Sequence, residues 1–253
     1  MSQYINESIE FFQEMLNVNL MDELNIKYKV LDDIDFYNEC KKETGSDNLS
    51  DFLVLSIPKN EEDCNILLLI NDYLEYNRDN YGLEILYSQL STIYLDYNET
   101  INLYKEKYKY LPTKKRIIRG VEYWKEYFSI YFTQTVLQEK NIEDIDDEDN
   151  PYNNKKSLKI GLNFLNKALT ATDKTQDERM SLLFYAFAKI SLSEENQNHL
   201  YNLKSVIKNE NLKNNIQKLY EIFSCKGFKD ITIFQFYEID KLMNSIREEF
   251  SKI

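Results

Sequence analysis

The chain of 253 residues carries 43 acids against 31 bases, a formal charge of −12. That balance disfavours direct nucleic-acid binding, since a phosphate backbone is held chiefly by clustered Lys and Arg, and it suits a basic partner surface instead. Hydrophobic residues (43%) supply an ample core, whereas five glycines and three prolines are too few for the tight turns of an all-β sandwich or a glycine-rich nucleotide-binding fold, so helices should dominate.

In chain order, Ser2 to Asn17 is predicted as a helix, with Ile5, Ile9, Phe12 and Leu16 on one core-facing stripe. Three predicted strands follow. "IKYKVLDD" (Ile26 to Asp33) alternates apolar and polar residues, "DFLVLSIPK" (Asp51 to Lys59) is a β-rich run containing Pro58, and "CNILLLIN" (Cys64 to Asn71) is continuously apolar, as a buried strand would be. Between the first two, "DFYNECKKETG" reads as a short helix closed by Gly45.

From Tyr81 onward the pattern is helical almost throughout. Leu83, Leu86, Leu90, Ile93 and Tyr97 recur at 3-4-3-4 spacing and define one buried face. "ETINLYKEKYKYL" continues to a break before Pro112, "TKKRIIRG" reads as a basic loop, and Val121 to Lys140 is a long aromatic-rich helix with Trp124 in the core. The basic loop gathers Lys114, Lys115, Arg116 and Arg119 as a candidate contact for a phosphate or an acidic partner, against the commoner solvated turn. "EDIDDEDNPYNN" (Glu143 to Asn154) is acidic and closed by Asn-Pro, a linker; it lacks the glycine and the final glutamate of a calcium loop. The segments "KSLKIGLNFLNKAL", "QDERMSLLFYAFAKISL", "HLYNLKSVIKN", "ENLKNNIQKLYEIFS" and "TIFQFYEIDKLMNSIREEF" each carry a helical stripe without a solenoid period. The expected fold is α+β and mostly α: an α+β domain over residues 1–142 with a small sheet, a linker at 143–154, and a helical bundle over 155–253.

The catalytic inventory is short. The single histidine, His199, sits beside polar residues in "NQNHLYNL", so a zinc site with two histidines cannot be built within one chain, and no GxSxG, GxxxxGKS or GxGxxG motif occurs. Cys40, Cys64 and Cys225 match no CxxC pattern and leave an odd residue in any disulfide scheme; they read as reduced, buried thiols in a cytoplasm. The N-terminus has no basic region followed by a long apolar core, and no run approaches the ~20 apolar residues of a membrane span. No metal, cofactor or membrane is expected.

"LYSQLSTIYLDY" (Leu86 to Tyr97) has the rhythm of a metallopeptidase helix, and it follows the three strands and precedes "YWKEYFS". In this order of elements the chain resembles the zincin-like metallopeptidases of phages and mobile elements of low-GC bacteria, which place two zinc histidines four apart on a helix beside a catalytic glutamate and draw a third ligand from a later aromatic-rich helix. Carried over, the resemblance puts Ser88 and Thr92 at the two histidine positions, Gln89 at the catalytic glutamate and Glu126 at the third ligand. It implies a ligand-stripped cleft lined by Ser88, Gln89, Thr92 and Glu126, a non-enzymatic module that binds a protein, and a role against a host defence or regulatory protein. The abundance of Tyr, Asn, Ile and Lys, which AT-rich codons favour, fits such an origin. Two alternatives stand beside it: an unrecognised enzyme using carboxylates and a divalent cation, and a helical structural subunit.

Overall fold

The structure, a computed structural model, describes residues 3–46, 52–61, 64–97, 113–140, 154–193, 207–225 and 231–252. The chain forms two compact units, Met1–Tyr97 and Asn98–Ile253. It is mostly helical with one small sheet near the N-terminus, the α+β, mostly α architecture expected.

In the first unit, α1 (Gln3–Leu16) and a single turn α2 (Leu20–Glu23) precede β1 (Ile26–Leu31). Then come α3 (Asp33–Thr44), β2 (Val54–Glu61), β3 (Cys64–Asn71), α4 (Tyr73–Asn77) and α5 (Asn80–Asp96). The strands lie in the order β1-β3-β2. β1 pairs with β3 in parallel, from Ile26 opposite Ile66 to Leu31 opposite Asn71, and β2 pairs with β3 antiparallel, from Val54 opposite Ile70. β3 is therefore the central strand, which is why its apolar run is continuous: Ile66, Leu68, Leu69 and Ile70 are all at most 1% exposed. Pro58 is accommodated because β2 is an edge strand, where a missing N–H costs no ladder bond.

The sheet carries helices on both faces. On one, Phe36 and Cys40 of α3 pack against Ile57 and Leu69. On the other, Ser56 of β2 meets α5, and Phe12 of α1 stacks on Tyr87 of α5 with ring centroids 5.7 Å apart. α3 begins at Asp32, whose carboxylate accepts from the Asp35 N–H at 2.9 Å, and ends at Gly45, where a φ of 70° takes the left-handed conformation expected of it. The α5 stripe holds at Leu83, Leu86, Leu90 and Ile93, but Tyr97 falls beyond the last helical turn as its C-cap and is exposed. Likewise Ile5, Ile9 and Phe12 are buried on α1, while Leu16, in its final turn, is only half-buried.

The second unit contains α6 (Lys114–Lys140), α7 (Asn154–Thr170), α8 (Gln176–Ser191), α9 (Glu210–Cys225) and α10 (Ile233–Phe250). Capping boxes open α8 (Thr175 with Glu178) and α10 (Thr232 with Gln235). α6 packs on α10 and α8, α7 on α8, and α9 on α10. The core is aromatic: Tyr127 stacks on Phe223 at 4.4 Å, and Trp124, 2% exposed, meets the edge of Phe236 at 5.8 Å.

Two expectations are revised by these helices. The run "TKKRIIRG" is not a loop but the beginning of α6, so Lys114, Lys115, Arg116 and Arg119 are helical residues. Gly120, which suggests a break, instead lies where α6 crosses α10: a Cβ there would sit 1.9 Å from the Phe236 carbonyl oxygen, so only glycine permits the approach. As a result α6 groups with the C-terminal helices, and the units divide at Tyr97 and Asn98 rather than after residue 142. The acidic run at 143–153, "ETINLYKEKYKYL", His199 and most of "HLYNLKSVIKN" lie outside the described residues.

Candidate functional site

Helix α5 is started by Asp79, whose side chain accepts from the Gly82 N–H at 2.8 Å and from the Tyr73 hydroxyl at 2.9 Å. Two turns on, Ser88 and Thr92 stand four apart on one side of the helix. The Thr92 hydroxyl donates to the Ser88 carbonyl oxygen at 2.9 Å, a local bond within the helix backbone. Gln89 is half-buried, and its amide oxygen accepts from the Ser56 hydroxyl at 3.2 Å, which ties α5 to β2 across the sheet face. All three side chains are neutral, and those of Thr92 and Gln89 are engaged in structural hydrogen bonds. None of the three supplies the imidazole or carboxylate that a zinc ion or a general base requires.

Glu126 belongs to the second unit and to a polar seam along α6, α8 and α10. Its carboxylate accepts from the Ser181 hydroxyl at 3.1 Å. Glu126 is exposed, yet the packing around it raises its carboxyl above the ordinary value, chiefly by desolvation; Asp177 adds to the rise, while Ser181 and Arg247 oppose it. Arg247 pairs with Asp177 at 2.6 Å and lies over the Tyr123 ring at 5.3 Å. Farther along, Arg119 grips the fully buried Asp240 with two bonds, 2.7 Å to Oδ1 and 3.1 Å to Oδ2. Arg116 donates to the Tyr237 hydroxyl at 2.9 Å. The two arginines of the basic run thus join α6 to α10, while Lys114 and Lys115 are exposed on its first turn.

A feature that the sequence reading did not single out lies beside β1. There a groove of about 760 Å³ runs along the strand, lined by Lys27, Tyr28, Asp32, Asp72, Glu75 and Tyr76 among others. The acids arrive there because β1 and β3 are parallel: Asp32 follows β1 and Asp72 follows β3, so both leave the same end of the sheet. The Asp72 carboxyl is raised above its ordinary value by burial and by the charges of Asp33 and Asp32. The signal was present in "VLDD" and "LINDY", but only parallel pairing joins them. Among the described residues, no three His, Cys, Asp or Glu side chains are placed to hold a metal ion.

No family model, no curated protein and no solved structure matches the chain. Among the described residues no helix is long and apolar enough to cross a membrane.

Proposed function

We propose that the chain is a non-catalytic protein-binding module with a ligand-stripped, zincin-like order of elements, carried by a phage or mobile element and directed at a host defence or regulatory protein. The observation that carries the reading is Gln89. At the position that the resemblance assigns to a catalytic glutamate stands a neutral amide whose oxygen is engaged by Ser56 in holding helix to sheet. A residue so used supports a scaffold whose surfaces bind, and the strongly acidic chain favours a partner with a basic surface. Free Cys40 and Cys64, both buried, suit a reducing cytoplasm.

The test is affinity capture with the full chain, followed by reconstitution from two purified components. The expected result is a stoichiometric complex in which mass spectrometry finds the partner covalently unchanged, with or without added divalent cations. A partner cleaved or modified on incubation would overturn the reading in favour of an enzyme.

A further inference from the structure

Resting on that protein-binding reading, we infer that the open edge of β1 is its docking site, and that the occupant is an extended peptide segment with basic side chains, which joins the sheet as a fourth strand. The Leu31 carbonyl oxygen accepts from the Asp72 N–H at 2.8 Å, so alternation along the strand turns the backbone groups of Lys27, Lys29 and Leu31 toward β3. Those of Tyr28 and Val30 then face the other way, along an edge that no described strand occupies. A row of strand donors and acceptors facing outward is a template for another chain.

The groove lies along this same edge and gives it a shape and a sign. At its far end Asp32 and Asp72 present carboxylates beside Tyr76, whose side chain is 78% exposed, an arrangement that takes a guanidinium or ammonium by charge and by its aromatic face. Glu75 adds to the acidity, although Arg78 stands 3.9 Å from it. Asp72 is crowded by Asp33 and Asp32, and a bound cation relieves that repulsion. Ile26, Val30 and Leu31 line the groove between Lys27 at the near end and the acids at the far end, so the bound segment alternates apolar with basic residues and places a basic residue opposite Leu31 and Asp32. A second copy is the weaker occupant, because it would bring another chain of charge −12 to an acidic edge.

The test uses the full chain and three fluorescent hexapeptides: alternating Arg-Val, alternating Glu-Val, and Arg-Val with alternate backbone nitrogens methylated. Anisotropy should show binding of the first, none of the second, and at least about tenfold weaker binding of the third, which keeps its charge but cannot pair as a strand. Hydrogen exchange should slow in residues 26–31 when the first peptide is added. The double variant Asp32→Asn with Asp72→Asn should bind about tenfold more weakly, the combined loss of two charge-assisted contacts; Asn at 32 still caps α3, and circular dichroism checks the fold. Equal binding of the methylated peptide, protection elsewhere, or self-association through β1 that excludes the peptide would each overturn the proposal. If no peptide binds while the reconstituted complex forms and ignores the double variant, the edge proposal falls and the protein-binding reading stands; if neither forms, both fall.

Discussion

Arg179 lies with its guanidinium 4.0 Å from the centre of the Phe250 ring and donates to the Phe250 carbonyl oxygen at 2.9 Å. It also donates to the carbonyls of Ala168 at 2.7 Å and Leu169 at 3.1 Å. Ala168 and Leu169 close α7 and Phe250 closes α10, so one buried cation satisfies the orphan carbonyls of two helix C-termini and complements both dipoles. Arg179→Met should therefore lower stability by about 3 kcal/mol, since hydrogen bonds to a charged group are lost and buried carbonyls are left unpaired. Arg179→Lys should fall between the two, because a compact ammonium cannot span carbonyls from two helices. Urea unfolding of the three proteins checks the order; a Met variant as stable as the wild type would remove Arg179 as the clasp.

The Arg119 and Asp240 pair predicts an asymmetry. Asp240 is fully buried, whereas the Arg119 side chain is half exposed. Arg119→Ala leaves a buried carboxylate without its partner and should cost about 2 kcal/mol, less than the roughly 3–5 kcal/mol of fully buried pairs because water can reach the vacated side. Replacing both, as Arg119→Met with Asp240→Leu, should recover most of that loss. Denaturation of the single and double variants checks this; a double variant no more stable than Arg119→Ala would refute it.

How far the sequence reaches is shown by particular residues. The buried run of β3, the Gly45 cap and the α5 stripe from Leu83 to Ile93 are local signals, each written within one segment and each where the pattern puts it, whereas Tyr97, assigned to the same stripe, caps the helix instead. The start of α6 is not legible locally because Lys, Arg and Gly together look like a turn, and the reason Gly120 sits there is Phe236, more than a hundred residues away. The same holds for the sites. Ser88 and Thr92 are placed by helix spacing alone, whereas the Ser56 bond to Gln89 and the meeting of Asp32 with Asp72 depend on strand pairing that no local periodicity encodes.

Glu126 gives a pH prediction with a definite sign. Its carboxyl is raised in the folded protein, chiefly by desolvation. The folded state therefore holds its proton more tightly than the unfolded chain, and stability from this group is present below the ordinary glutamate value near 4.5 and lost as pH rises through the raised value. Glu126→Gln keeps an oxygen for Ser181 but has no charge to desolvate. Because Glu126 is exposed and water screens its charge, the variant should be only slightly the more stable protein at pH 7, and its advantage should shrink as pH falls toward 5. Parallel thermal unfolding across pH 5–8 cancels the contribution of the other acids; an advantage that is constant with pH would refute the assignment.

Gly120→Ala separates helix propensity from packing. In an exposed helix interior, alanine would stabilise by up to about 1 kcal/mol over glycine. Here the added methyl would sit 1.9 Å from the Phe236 carbonyl oxygen and 2.6 Å from its carbon, backbone atoms that cannot rotate away. The helices must move apart, and that strains the Trp124 edge contact with Phe236 one turn farther along α6. Overpacking of this kind should outweigh propensity and lower stability by about 2 kcal/mol net. Tryptophan fluorescence provides a second reading, because Trp124 is the sole tryptophan and is buried at this crossing. A red-shifted emission together with the lost stability is expected; an alanine variant that gains stability with unchanged emission would mean that α6 and α10 do not approach as closely as Gly120 requires.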